Sequence, residues 1–338
     1  MTKKNIHIGF AILKSFLAFD VIRSHCFNKN TTKNLIILKI AKRRKIHVPS
    51  FIIMSFYFTH NSLISHDLNK IFNRFERLLI PYIGWPFIIL ILFNALNYFF
   101  DLNYRCTIKN FIYQIIIAQA PNIPLHFWFL FDLIVTNMIF IFIIFIMKKY
   151  YLFAFEIVIF LSYYLQYSQL NLIFYTKLNS KQSLGREIEI IPFAVTGFIL
   201  SDLNIINKLN NRKIETFFFS LLIYNFSVHY SIFREIQGIS YSGVKLNIHS
   251  VCIIFLFSLF SKENLKKNYF KKVIIQMTKF TGGIFYIHQL IHDMFQFHLN
   301  DIKKGTIFGL FLIYLFSYLI CFIGSVIFGK TKAKFLFE

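Results

Sequence analysis

Stretches of about twenty mainly apolar residues, separated by short polar segments, recur along the chain from end to end. A helix of that length, rising 1.5 Å per residue, matches the hydrocarbon thickness of a bilayer. The pattern predicts ten helical spans, near residues 6–26, 46–65, 78–99, 126–147, 150–167, 188–205, 215–233, 245–261, 275–297 and 305–328. The expected fold is all-α, a polytopic transmembrane helical bundle. Residues 1–338 read as a single transmembrane domain, because no connection is long enough to separate two domains and no internal repeat is visible. The long connections are 27–45, 100–125 and 168–187. The second contains FIYQIIIAQAPNIP, an apolar piece too short to span and ended by prolines, which reads as re-entrant or interfacial.

Composition strengthens this picture. The chain is 56% hydrophobic and 20% aromatic, with 46 Phe and a mean hydropathy of +0.56, above the apolar content of soluble domains. Its net charge of +22 would suggest nucleic acid in a soluble protein. Here the Lys and Arg lie mostly between apolar segments, where they anchor to anionic membrane lipid and set orientation, and no basic soluble domain exists to hold nucleic acid. The connection NKNTTKNLIILKIAKRRK is the exception to a clear bias. With it set aside, Lys148, Lys149, Lys208, Arg212, Lys213 and the Lys262–Lys272 cluster put both termini in the cytoplasm, and the membrane expected is the plasma membrane. Residues 34–45 would then form a basic amphipathic helix on the headgroups. Cys26, Cys106, Cys252 and Cys321 show no CxxC spacing, so neither a zinc nor a redox site is indicated. The first apolar stretch carries Lys14, Asp20 and Arg23 and lacks a signal-peptide cleavage pattern.

Ionisable groups inside spans are the chemical candidates, since each is costly in lipid and normally faces a protein interior. Lys14 and His25 are eleven residues apart, which at 100° per residue returns them to one helix face, about 16 Å apart along the axis. Asp20 and Arg23, at i and i+3, read as a structural ion pair. Asp132 and Glu156 should be buried against partners. Glu76 is expected to be solvated. His288 and His292 share a face at i and i+4, but no third ligand is evident and no metal site is expected.

Several short motifs, in order, resemble the acyltransferase-3 family of integral membrane acyltransferases. In ILKSFLAFDVIRSHC, Lys14 stands where that family has Arg, with ten residues between it and the shared His25. Pro49-Ser50-Phe51 leading to Met54-Ser55-Phe56-Tyr57 is similar to PxFFxxSGY, with Phe56 where Gly is usual. Arg74-Phe75-Glu76-Arg77 before Pro81 matches an RxxR linker, and His126-Phe127-Trp128-Phe129-Leu130 resembles HxWFL. Pro192-Phe193 with Gly197, and Gly283-Ile284-Phe285-Tyr286-Ile287-His288, resemble the PFxxxG and GIYxxH segments.

The resemblance implies O-acylation of a hydroxyl on a sugar, polysaccharide or glycolipid, with acyl-CoA, expected to be acetyl-CoA, as donor substrate and no tightly bound cofactor. Such transfer needs a base for the hydroxyl and a grip on the donor's phosphates. His25 suits the base, because neutral imidazole accepts a proton near neutral pH; the alternative is a core histidine bonded to a neighbouring helix. Lys14, Arg74 and Arg77 are the donor-binding candidates. Lys14 lacks the forked geometry of Arg and otherwise snorkels, and the two arginines otherwise anchor the chain. Ser55, His126, Trp128 and His288 are candidates for the substrate cavity, with Ser55 better suited to hydrogen bonding between helices than to attack. A membrane transporter, or a catalytically inactive family member, would share most of this pattern. The oligomeric state is left open.

Overall fold

The computed structural model describes residues 8–26, 46–100, 107–118, 127–167, 184–229, 243–260, 268–298 and 307–337. Among these residues the chain is all-helical, and no strand forms. The α-helices are α1 (Ile8–Cys26), α2 (His47–Ile64), α3 (Leu68–Phe100), α4 (Ile108–Ile117), α5 (Trp128–Met147), α6 (Tyr151–Tyr167) and α7 (Leu184–Asp202). They continue as α8 (Ile205–Asn210), α9 (Lys213–His229), α10 (Val244–Ser258), α11 (Asn268–Lys279), α12 (Thr281–His298) and α13 (Ile307–Phe328). Three stretches are long and apolar enough to cross a membrane by length and composition: Leu68–Leu92, Trp128–Gln166 and Phe308–Phe328. The second is not one straight rod. Lys148 has a φ of +47°, a 3-10 turn covers Lys148–Tyr150, and the rings of Phe140 and Phe155 meet at 4.4 Å, so α5 and α6 fold back as a hairpin.

Helix α3 begins about ten residues before the hydropathy-based boundary at residue 78. Asp67 causes this. Its side chain accepts from the Lys70 backbone N–H at 3.1 Å, an N-cap that satisfies a donor the first turn leaves open. The segment Leu68–Arg77 contains neither Pro nor Gly, so the helix runs on to Pro81 and Pro86 inside it. Arg74 and Arg77 are therefore helical residues rather than linker residues.

Side-chain contacts fix the directions of the helices. The Thr278 hydroxyl donates to Ala11 O at 3.1 Å, and further along the same helices His25 meets His288, so α1 runs parallel to α11 and α12. Helices α2 and α7 are parallel too. Gly197 faces the backbone of Ile53, and one to two turns on His60 Nε2 bonds Asp202 Oδ1 at 2.8 Å. A Cβ on Gly197 would collide with the Ile53 carbonyl, which explains the small residue: it lets two helix backbones touch. The core on this side holds Phe56, Phe140, Phe155 and Phe198, all fully buried.

After α13 the chain turns back and docks on α3. Lys332 pairs with Glu76, the Trp85 indole donates to Leu336 O at 2.8 Å, and Phe337 packs over Gly283 and Gly324. The expectation that Glu76 is merely solvated is thus corrected, because the returning tail brings a lysine to it. Glu156 also differs from expectation. It is exposed on α6, because its neighbours Ala154 and Phe155 take the inward face. Asp132 is fully buried, and Asp20 bonds Arg23 at 2.7 Å as the spacing predicts. Cys252 and Cys321 are buried free thiols. The basic segment 34–45 lies outside the described residues.

Candidate active site

Helices α1, α2, α3, α5 and α12 line an open-sided cavity of about 260 Å³. Two cations reach it from different helices, Lys14 from α1 and Arg74 from α3, and no acidic side chain lines it. Apolar side chains, including Phe51, Met54, Phe129 and Phe285, form most of the remaining wall. A cationic site with apolar walls suits an anionic ligand that carries an apolar part, since charge attraction is strengthened where water is scarce.

Arg74 is held firmly. Its Nε donates to Asn137 Oδ1 at 3.0 Å, and one terminal NH2 donates to Ser55 Oγ at 2.7 Å and Ser55 O at 3.4 Å. Asn137 is fixed in turn by its own NH2, which donates to Leu133 O at 2.6 Å. The guanidinium also lies 6.0 Å from the centre of the Phe56 ring, which packs on Phe140 at 4.6 Å. So Phe56, in place of the expected Gly, is a core residue supporting the arginine. The second terminal nitrogen, Nη1, carries no bond among the described residues and remains for a ligand. Ser55 lines the cavity and joins α2 to α3 through Arg74.

Lys14 lies 5.3 Å from the centre of the Phe58 ring and turns into the cavity. Arg77, one turn beyond Arg74, does not line it. It is exposed and stacks 5.3 Å over Phe335 of the returning tail. The structure thus unites Lys14, Ser55 and Arg74 and leaves Arg77 outside.

His25 sits further along α1, with its ring 5.3 Å from that of His288 on α12. His288 is fully buried, and its Nδ1–H donates to Ile284 O at 3.1 Å, which in the neutral ring gives the lone pair to Nε2. Two of the five helices that line the cavity also carry this imidazole pair, because Lys14 and His25 share α1 while Phe285 and His288 share α12. Trp128 opens α5, half-buried against both core clusters, and is not part of the cavity wall. His126 lies outside the described residues. No group of three or more His, Cys, Asp or Glu side chains among the described residues could hold a metal ion.

One group was missed in the sequence. His47, at the start of α2, is buried and its Nδ1 lies 3.0 Å from Asp20 Oδ2, while Arg23 holds the other carboxylate oxygen. The available signal was a histidine two residues before Pro49 at a span start, but its partner lies 27 residues away on another helix.

A second cavity of about 520 Å³ is lined by His66, Lys148, Lys149 and Tyr151, at the turns joining α2 to α3 and α5 to α6. It is basic like the first. No curated protein and no solved structure matches the chain. A family model described as an acyltransferase domain does match, over residues 9–330, and with nearly its whole length covered this chain belongs to the acyltransferase-3 family.

Proposed function

We propose that this membrane acyltransferase crosses the bilayer ten times as one domain and transfers an acyl group, acetyl in the simplest case, from acyl-CoA to a hydroxyl of a carbohydrate-containing acceptor. The observation that carries the reading is the joint cavity of Lys14 and Arg74, on the helix that also bears His25. The donor's phosphates are the anions that call for two cations, and its pantetheine arm and acyl group are the parts that call for apolar walls. Lys148 and Lys149 at the second cavity add positive charge on the cytoplasmic side under the proposed topology, with both termini in the cytoplasm of a plasma membrane.

In this scheme His25 accepts the proton of the acceptor hydroxyl as its oxygen attacks the thioester carbonyl. The C–S bond breaks, and the coenzyme A thiolate leaves and takes up a proton. His288 lies against His25 and restricts the orientation of that ring. The products are the O-acylated acceptor and free coenzyme A, and no further cofactor is consumed. Arg74 is prepared for this role by its bonds to Asn137 and Ser55, because a fixed cation needs little reordering when the donor arrives.

The test is mass spectrometry of surface glycans from cells with and without the protein, paired with coenzyme A release by the purified chain. Acyl groups present only with the protein support the proposal. Substrate uptake into proteoliposomes with no acyl transfer would point to a transporter, and a lack of coenzyme A release with every acceptor would point to an inactive member.

A further inference from the structure

The second cavity, of about 520 Å³, takes no part in the chemistry proposed above, yet it has the size of a small-molecule site, roughly 300–1,000 Å³. The α2–α3 turn and the α5–α6 turn meet there, at one end of the bundle. Its lining falls into two halves. Ile64, Ile144 and Phe145 are apolar, whereas His66, Lys148 and Lys149 are basic, and no acidic side chain lines it. Tyr151 completes the wall with its hydroxyl engaged by Asp202 at 2.8 Å, and the same carboxylate oxygen also meets His60.

The backbone makes the basic half unusual. Lys148 has φ +47° and ψ −115°, and His66 has φ +52°. Glycine adopts such conformations without strain, whereas a side chain is penalised in them. Four non-glycine residues have positive φ among the described residues, and two of them are the basic residues of this one cavity. Neighbouring cations at this end are paired, Lys70 with Asp67 at 2.6 Å and Arg212 with Glu215 at 3.8 Å. Lys148 and Lys149 have no carboxylate partner among the described residues. Lys149 rests 5.0 Å from the centre of the Tyr150 ring, and the His66 ring meets Phe145 edge-on at 4.6 Å. The fold alone therefore gives no reason to keep cations at two strained turns.

The apolar half decides which anion fits. Trp128–Gln166 is long and apolar enough to cross a membrane, and the turn at Lys148 divides it. Phe142, Phe145 and Ile146 are exposed on α5, so the apolar wall continues outward from the cavity along a lipid-facing helix. A free anion needs no such wall, while a lipid with a charged head needs both halves. Basic pockets at the ends of membrane helices take anionic headgroups in this way.

We infer that this cavity binds an anionic phospholipid, its phosphate between Lys148, Lys149 and His66 and the start of an acyl chain along Ile64, Ile144 and Phe145. The inference does not depend on acyl transfer. The bound lipid joins α2 to α5, the helices whose Ser55 and Asn137 hold Arg74.

The test uses the full chain in a neutral detergent, titrated with short-chain phosphatidylglycerol or phosphatidylcholine while the thermal midpoint is followed. A ligand bound only by the folded state raises that midpoint. Lys148→Gly removes an ammonium group and supplies the residue the turn favours, and Lys149→Gln removes the other. Lys208→Gln, exposed on α8 at the same end and outside the cavity, is the control. Phosphatidylglycerol should raise the wild-type midpoint well above the effect of phosphatidylcholine. Each cavity variant should need about tenfold more phosphatidylglycerol for the same rise, the scale of one charge-assisted hydrogen bond, and Lys208→Gln should match the wild type. Without lipid, Lys148→Gly should be at least as stable as the wild type. The inference fails if the two lipids act alike on the wild type, or if Lys208→Gln weakens the response as much as the cavity variants do. It fails too if Lys148→Gly is less stable without lipid while Lys149→Gln responds like the wild type, since the lysines then serve only the fold. A rise with inorganic phosphate or coenzyme A that the cavity variants abolish would make this a site for free phosphates and overturn the lipid assignment.

Discussion

Arg74 donates to the hydroxyl of Ser55 at 2.7 Å, and this bond joins α3 to α2 at the wall of the cationic cavity. Arg77, in the same RxxR motif, stacks on Phe335 outside it. The two arginines should therefore respond differently to replacement by Lys, which keeps the charge but loses the fork. Arg74→Lys should raise the KM for acyl-CoA by about tenfold or more, the scale of one charge-assisted hydrogen bond. Arg77→Lys should leave it near the wild-type value. Saturation curves for acetyl-CoA at fixed acceptor check this, and equal effects of the two variants would remove Arg74 from the donor site.

Orientation decides which compartment supplies the donor. Asn69 and Asn73 are exposed on the first turns of α3, next to the cavity arginine. With both termini cytoplasmic, a single Cys at either position, in a background with native Cys replaced, should escape an impermeant thiol reagent in intact cells and react after permeabilisation. Labelling of intact cells would invert the topology.

The contact of α2 with α7 gives a stability prediction. Gly197→Ala places a methyl group against the Ile53 carbonyl, and the two backbones must separate. Overpacking of this kind costs about 1–3 kcal/mol. Thermal unfolding of the purified variant should show a lower midpoint, and a midpoint equal to the wild type would mean that the helices part freely.

Most helices were legible from apolar run length alone, because a bilayer demands both length and apolarity. The faces were not. In a membrane bundle the outward side is apolar too, so the period that marks a buried stripe in a soluble helix is blurred. Only the cost of a charge in lipid places Glu156 inside, and the apolar run around it gives no face to check that against; the structure leaves it exposed. Hydropathy also started α3 late, since a polar helical turn capped by Asp67 looks like a linker. Lys14 and His25 were placed on one face by spacing, whereas the pairs Lys14 with Arg74 and His47 with Asp20 join distant segments and needed tertiary structure.

His25 carries the proposed chemistry. It is a histidine of α1 set against a second imidazole, on the helix whose Lys14 lines the cationic cavity. A general base typically contributes about 10²–10⁴-fold, so His25→Ala should lower turnover by that order. The KM for acetyl-CoA should change little, because the cavity cations are untouched. Lys14→Arg supplies the forked cation that the family resemblance calls for, and should leave turnover equal or higher, with any gain seen as tighter donor binding. Transfer rates measured on folded, monodisperse protein separate these outcomes. Wild-type turnover in His25→Ala would show the histidine to be structural, and a loss confined to KM would make it a binding residue.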